Sequence, residues 1–406
     1  MKYESNLNKL FLYMTMFFSV LKYIPFLNGL NKFVYILFAL LIVINYKNIF
    51  FTIRKMKLIL ALNFFIVIYF GISKILLTTI VTEDLYSLIL FEIIFILLVS
   101  IKIDLEDKQK ILRNTSLMTL VVSTIIILYY RGSYISALNR IGENFYGEKN
   151  AIGPILMAAN IYLLYFSISN KKLIFILFYF FGMLNLFLFN SRTNTISSLS
   201  VSIIIINYYI FKSRYKVLYF TSVPIFLVGI VLKIKDYLAY YIIKFLKIDY
   251  FTSVVSNYKY GILDALTAGR IESYVYAVDY FVLNPILGTG FNAAYIISDP
   301  QSMTGVHNLW LRALFYGGMI YFVIFIILIT QIMKIVFKFK IDNKLVVFML
   351  IAGLINSLFE PFAPLGPGTS YLIYWSIICL NIDIKKMNLG RSVLNENIRY
   401  KCCDTN

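Results

Sequence analysis

Charge is what this chain is short of. Asp, Glu, Lys and Arg make up 14% of its 406 residues, where a soluble domain carries roughly 25%. Acidic residues are the scarcer kind, 20 against 38 basic ones, for a net charge of +18. Histidine occurs once, at His307, and cysteine three times. Cys379 lies in the last apolar run and Cys402 and Cys403 in a basic tail, so neither a disulfide framework nor a Cys/His metal site can be assembled. Strict apolar–polar alternation is also missing, which excludes a membrane barrel. No strand–helix unit surrounds Gly288-Thr289-Gly290-Phe291-Asn292-Ala293, so its match to G-x-G-x-x-A signals no dinucleotide site.

What the chain has in abundance is hydrophobic residues, 60% of the total, with a mean hydropathy of +0.79. Apolar runs near 18 residues recur from end to end, each long enough to cross a ~30 Å hydrocarbon core. Helices are the remaining way to satisfy every backbone group in lipid. The expectation is an all-α polytopic membrane protein, one transmembrane domain over residues 1–406. Hydropathy places about twelve transmembrane helices, at 8–24, 31–46, 58–76, 85–101, 115–130, 151–169, 172–189, 194–211, 216–233, 308–333, 344–360 and 369–383. The first run has no small-residue cleavage site after it and reads as a retained helix. No internal repeat is visible.

Alternate connections are basic: Lys47 to Lys57, Lys102 to Arg113, Lys171-Lys172, Lys212 to Lys216, Lys334 to Lys344, and the tail 384–406. Basic clusters between apolar runs are a topology signal rather than a nucleic-acid surface, so no nucleic-acid partner is expected. By the positive-inside rule they face the cytoplasm, with both termini. The large connection 234–307, between helices 9 and 10, then faces outward. A two-times-six transporter usually carries its long connection inside, at the midpoint.

Ionisable groups at the membrane edge are functional candidates by default. On the outward side these are Arg192 in the short turn Asn190-Ser191-Arg192-Thr193; Arg270 in the large loop; His307, Asn308 and Arg312 entering helix 10; Glu360 before Pro361; and Asn150 at the mouth of helix 6. Residues Gly269 to Leu283 carry apolar groups at helical spacing, which predicts an amphipathic helix stopped by Asn284-Pro285. Arg270 falls in its first turn, where the helix dipole disfavours a cation unless an anion is bound; the alternative is an arginine snorkelling to lipid phosphates. His307 reads either as a proton acceptor near neutral pH or as an interfacial polar residue at a helix start. Three guanidinium forks would suit a pyrophosphate, but chain separation leaves their mutual distance open.

The order of these features resembles the O-antigen polymerase and O-antigen ligase superfamily. The resemblance runs over about 145–365: Glu148-Lys149-Asn150-Ala151-Ile152-Gly153, Asn190-Ser191-Arg192-Thr193, Gly269-Arg270, Leu287-Gly288-Thr289-Gly290-Phe291, and Val306-His307-Asn308-Leu309 before Gly317-Gly318. Tyr274 departs from it, standing where members often have a tryptophan. The resemblance implies a metal-independent, inverting glycosyltransferase of the bacterial plasma (inner) membrane, with no cofactor. Its donor would be an undecaprenyl-diphosphate-linked oligosaccharide. Arg192, Arg270 and Arg312 would bind the diphosphate, His307 or Glu360 would act as base, and Asn150 and Asn308 would position substrate. The leading reading is a polysaccharide (O-antigen or capsule) polymerase joining repeat units on the outer face. The alternatives are an O-antigen ligase acting on a lipid A core or another acceptor, and a lipid-linked oligosaccharide flippase. The resemblance also implies membrane lipids, a flippase and a chain-length regulator as partners.

Overall fold

Long apolar runs without internal polar partners can satisfy their peptide groups only by coiling, and helix is what the chain forms. The structure, a computed structural model, describes residues 2–77, 82–140, 149–211, 270–288, 306–339, 343–360, 365 and 368–382. The expected ninth span (216–233), residues 234–269 and 289–305 of the large loop, and the tail 384–406 lie outside the described residues. The helices are α1 (Lys2–Leu21), α2 (Leu30–Ile44), α3 (Tyr46–Lys55), α4 (Lys57–Leu77), α5 (Thr82–Ser100), α6 (Leu105–Arg131), α7 (Tyr134–Asn139), α8 (Lys149–Asn170), α9 (Ile174–Leu188) and α10 (Arg192–Phe211). Beyond the first gap come α11 (Arg270–Leu283), α12 (Leu309–Phe339), α13 (Asn343–Ser357) and, after a 3-10 turn at Gly368–Tyr371, α14 (Leu372–Cys379).

Among the described residues, four helices are long and apolar enough to cross a membrane: Leu105–Arg131, Ala151–Asn170, Arg192–Phe211 and Leu309–Lys338. The pair α2 and α3 would make a fifth, but it is bent by 78°. The basic connection expected at 47–57 is therefore largely helix. α3 lays Arg54 over Phe50 and Lys55 over Phe51, at 4.5 and 5.3 Å, as an amphipathic helix does at a membrane surface. Four further apolar helices are shorter, among them Ile174–Leu188 and Lys344–Ser357.

At the centre runs α8, which packs against α6, α9, α10, α13 and α14. Every residue from Ile155 to Ile161 is fully buried, as expected of a helix that is apolar all round. On the outside, α9 exposes Leu177 and Phe180 at 64% and 62%, a face suited to lipid.

The two ends of the bundle differ. At one end Asn8 and Asn45 exchange amide hydrogen bonds of 3.1 and 2.6 Å. There Lys9 also meets Asp107 at 2.6 Å, and Ser100 donates to Thr52 at 2.9 Å. These contacts gather the basic connections after α2 and α5 beside the start of α1. From the Lys171-Lys172 turn, α9 crosses the bundle and delivers Asn190, Ser191 and Arg192 to the opposite end.

The span expected at 308–333 runs on to Phe339, and it is broken. Gly318 sits at φ 61°, ψ −167°, inside what is otherwise one helix. Its N–H belongs to a close backbone crossing: a Cβ on Gly318 would lie 2.3 Å from the Ile286 carbonyl, and one on Gly288 would lie 2.5 Å from the Gly318 nitrogen. The Met319 N–H bonds the Pro285 carbonyl at 2.8 Å. Tyr69 of α4 donates toward the carbonyls of Gly317 and Leu287, at 2.6 and 3.1 Å. The turn after α11 is thus locked onto the kink of α12. Gly318→Ala should lower thermal stability in detergent by several degrees, on the order of 2 kcal/mol or more, since it adds backbone strain and a clash together. An unchanged melting temperature would contradict the crossing.

Candidate active site

Two helix ends create the turn that carries Arg192. Asn190 adopts the left-handed conformation, φ 53°, which asparagine tolerates better than most residues. Its N–H bonds Phe187 O at 2.9 Å and the Ser191 N–H bonds Leu186 O at 3.4 Å, closing α9 with a Schellman motif. The Ser191 carbonyl then accepts the first bond of α10, from the Thr195 N–H at 2.9 Å. Arg192 is therefore the first residue of α10, where unpaired N–H groups point outward. This turn sits on α8 at Gly153, where a Cβ would lie 2.4 Å from Ser191 Oγ. Side-chain amides continue the contact: Asn194 donates to Ser191 Oγ at 2.9 Å, and Asn356 of α13 donates to Asn194 Oδ1 at 2.8 Å.

The end of α13 is the other anchor. The Glu360 N–H bonds Asn356 O at 3.0 Å, and the Glu360 carboxylate faces Arg270, with Oε1 3.7 Å from Nη2. Arg270 opens the described part of α11, which ends at Leu283, before Asn284-Pro285, as the sequence predicts. One turn on, the Tyr274 hydroxyl donates toward two carbonyls, His307 at 2.7 Å and Leu358 at 3.3 Å. Asn308 caps α12: its Oδ1 accepts from the N–H groups of Trp310 and Leu311, both at 3.0 Å, and its Nδ2 donates to Leu358 O at 3.2 Å. The Trp310 indole donates to Ser357 Oγ at 3.0 Å. Arg312, buried to 9% exposure, lies over the ring of Tyr316 at 4.8 Å.

These elements converge. Arg192 and Arg270 lie close enough for their charges to oppose one another. His307 feels both Arg270 and Arg312: burial first, then those two guanidiniums, push it down from 6.5 to about 4. The ring is therefore neutral at neutral pH, and no hydrogen bond reaches its buried Nδ1 from the described residues. The Tyr274 hydroxyl is pushed up by burial; nearby Arg270 opposes this and Glu360 adds to it. So Arg192, Arg270, Arg312, His307, Asn308 and Glu360 share one end of the bundle. Asn150 lies in the first turn of α8, where Pro154 has no N–H for its carbonyl; its side chain is outside what the structure describes. Arg131, the last residue of α6, donates to the Arg140 carbonyl at 3.5 Å.

Sequence reasoning passed over Tyr274, Trp310, Asn194, Asn356 and Ser357 as site residues. Two of them carried a usable signal, because an asparagine inside an apolar span is costly unless bonded. Chemically, the described residues of this arrangement combine a concentration of positive charge, one neutral imidazole and one carboxylate.

Because His307 is held neutral in the fold and titrates near 6.5 unfolded, the unfolded chain binds the proton first as pH falls. Stability should therefore drop between about pH 6.5 and 4, by up to about 3 kcal/mol from this group, and level off below. Unfolding followed against pH should show this slope in wild type and lose that share in His307→Gln. A slope identical in the two would contradict the placement of His307.

A comparison with curated proteins finds no match. Residues 175–326 match a family model described as O-Antigen ligase. The matched stretch contains Arg192, Arg270, His307, Asn308 and Arg312 and stops before Glu360. It supports the resemblance to the O-antigen polymerase and O-antigen ligase superfamily that the motifs carry, over little more than a third of the chain.

Proposed function

We propose that the protein is a polysaccharide polymerase that joins undecaprenyl-diphosphate-linked oligosaccharide units on the outer face of the bacterial plasma membrane. The observation carrying this reading is the convergence of Arg192, Arg270 and Arg312, from three separate stretches of chain, around His307. Like charges so close repel, and a polyanion relieves the repulsion. Guanidinium forks match phosphate oxygens in pairs. The described basic connections after α2, α5 and α8 occupy the other end of the bundle, which supports an outward site by the positive-inside rule.

In this mechanism the arginines hold the donor's diphosphate and stabilise the charge that grows on it as the sugar C1–O bond breaks. An acceptor hydroxyl forms the new bond to C1 from the opposite face, inverting it, and its proton passes to His307. Bound diphosphate offsets the positive charges that depress His307, so the ring gains basicity when the donor is in place. Glu360 is the second candidate base. Asn308 and Asn150 would position the acceptor. Below the site, Leu309, Trp310, Ile332, Met333, Leu350 and Leu354 line an apolar cleft between α12 and α13, of about 560 Å³ including its open mouth. The first residues of α12 line it, so a polyprenyl tail could enter the membrane there.

A ligase is the second reading, favoured by the description of the family model itself. A flippase would need polar groups along several spans and two openings, whereas the candidate cluster here gathers at one end.

Arg192→Ala, Arg270→Ala and His307→Ala, each checked for membrane insertion, should each collapse the surface-polysaccharide ladder to a single repeat unit on its acceptor. Turnover in each should fall by about a hundredfold or more. Long glycan accumulating on the lipid carrier would instead identify a ligase, and an unchanged ladder would remove all three residues from the chemistry.

A further inference from the structure

Arg270 is not left without a negative charge in this structure. Glu360 faces it across 3.7 Å, with side chains 23% and 15% exposed. That separation is longer than the roughly 2.8 Å of a charge-assisted hydrogen bond. The pair is thus an electrostatic contact rather than a closed, bidentate bridge. Glu360 is tethered by its backbone, through its N–H to Asn356 O at 3.0 Å, beyond the last residue of α13. The side chain can therefore turn away without unravelling a helix.

By the sequence spacing, which starts this amphipathic helix at Gly269, Arg270 falls in a first turn, where the helix dipole favours an anion. Arg192 lies nearby and adds a second positive charge. One carboxylate matches this field poorly, and a dianion or trianion with several oxygens matches it better.

We infer that Glu360 is a displaceable counter-ion, which occupies Arg270 while the donor is absent and is expelled from it when the donor's diphosphate binds. This inference rests on the diphosphate reading of Arg270 given above. The exchange leaves the carboxylate desolvated beside a new anion, so it must turn away from the phosphates, on the side from which an acceptor arrives. Arrival of the donor would thereby release a proton-accepting or hydroxyl-orienting group only when there is something to attack. Tyr274, sensitive to both Arg270 and Glu360 and bonded to the His307 carbonyl, adjoins every member of the exchange.

The test uses the full chain in detergent, with inorganic pyrophosphate as probe and calorimetric titration as readout. Removing a competing carboxylate has a sign opposite to ordinary damage: Glu360→Gln should tighten pyrophosphate binding, by about three- to tenfold. Arg270→Gln should weaken it, and Arg270→Gln/Glu360→Gln should bind like Arg270→Gln alone. Glu360→Ala provides the same test should the amide find a new partner.

Binding to wild type that is unchanged or weakened in both Glu360 variants would overturn the exchange and leave the diphosphate site standing. A gain in Glu360→Gln that persists without Arg270 would also overturn it, by placing the competition elsewhere. Pyrophosphate binding to neither wild type nor Glu360→Gln would sink the diphosphate site together with the exchange built on it.

Discussion

Residues 356 to 360, at the end of α13, hold the candidate site together. Asn356 reaches α10 through Asn194, Ser357 receives the indole of Trp310, the Leu358 carbonyl takes both Asn308 and Tyr274, and Glu360 faces Arg270. Within five residues, one chain terminus of a helix meets three others. The carbonyls there are free to accept because the last turn of any helix leaves its C=O groups without intrahelical partners. An unmet helix end becomes the fastening point for the groups around it, and the three arginines inherit their spacing from it.

Desolvation gives this fastening its force. Asn194 and Asn356 are buried at 2% and 0% exposure. In such surroundings a lost partner leaves a polar group that costs about 1–3 kcal/mol. Each amide therefore confines its neighbour. The same exclusion of water makes the clustered guanidiniums repel more strongly than they would at a surface. Glycines serve the geometry from behind: Gly153 admits the Ser191 turn, and Gly288 and Gly318 let two backbones cross.

Much of this was legible in the sequence, and the physical reasons differ by feature. Helical class followed from apolar runs, because lipid permits little else. The helix at 270–283 and its stop followed from spacing and from Asn284-Pro285. The site residues were legible individually, because charge at the membrane edge is costly, yet their meeting was not, since hydropathy carries no information about which helix packs against which. The bend between α2 and α3 was hidden because Lys47, Arg54 and Lys55 read as a connection, while their alternation with Phe50 and Phe51 is equally that of a surface helix. The break in α12 was hidden within Gly317-Gly318, which hydropathy passes over and which only the partner at Gly288 makes intelligible. Asn356 was missed for want of its partner: alone, an amide in an apolar run has no address.

The glycine junction in α12 also separates two lengths. Below it, residues 319–339 rise about 30 Å at ~1.5 Å per residue, already the depth of a hydrocarbon core. The nine-residue arm before it, Leu309 to Gly317, is fastened to α11, α13 and Tyr69, and it also leans on the rod that continues it, where Trp310 meets Phe325 with ring centroids 6.0 Å apart. Bilayers differ in thickness by several ångströms, and a helix meets the difference by tilting. Because Trp310 rests on Phe325 and Leu309 shares its cleft with Ile332 and Met333, arm and rod tilt as one piece, and His307 and Arg312 ride with the span as the membrane around it thickens or thins.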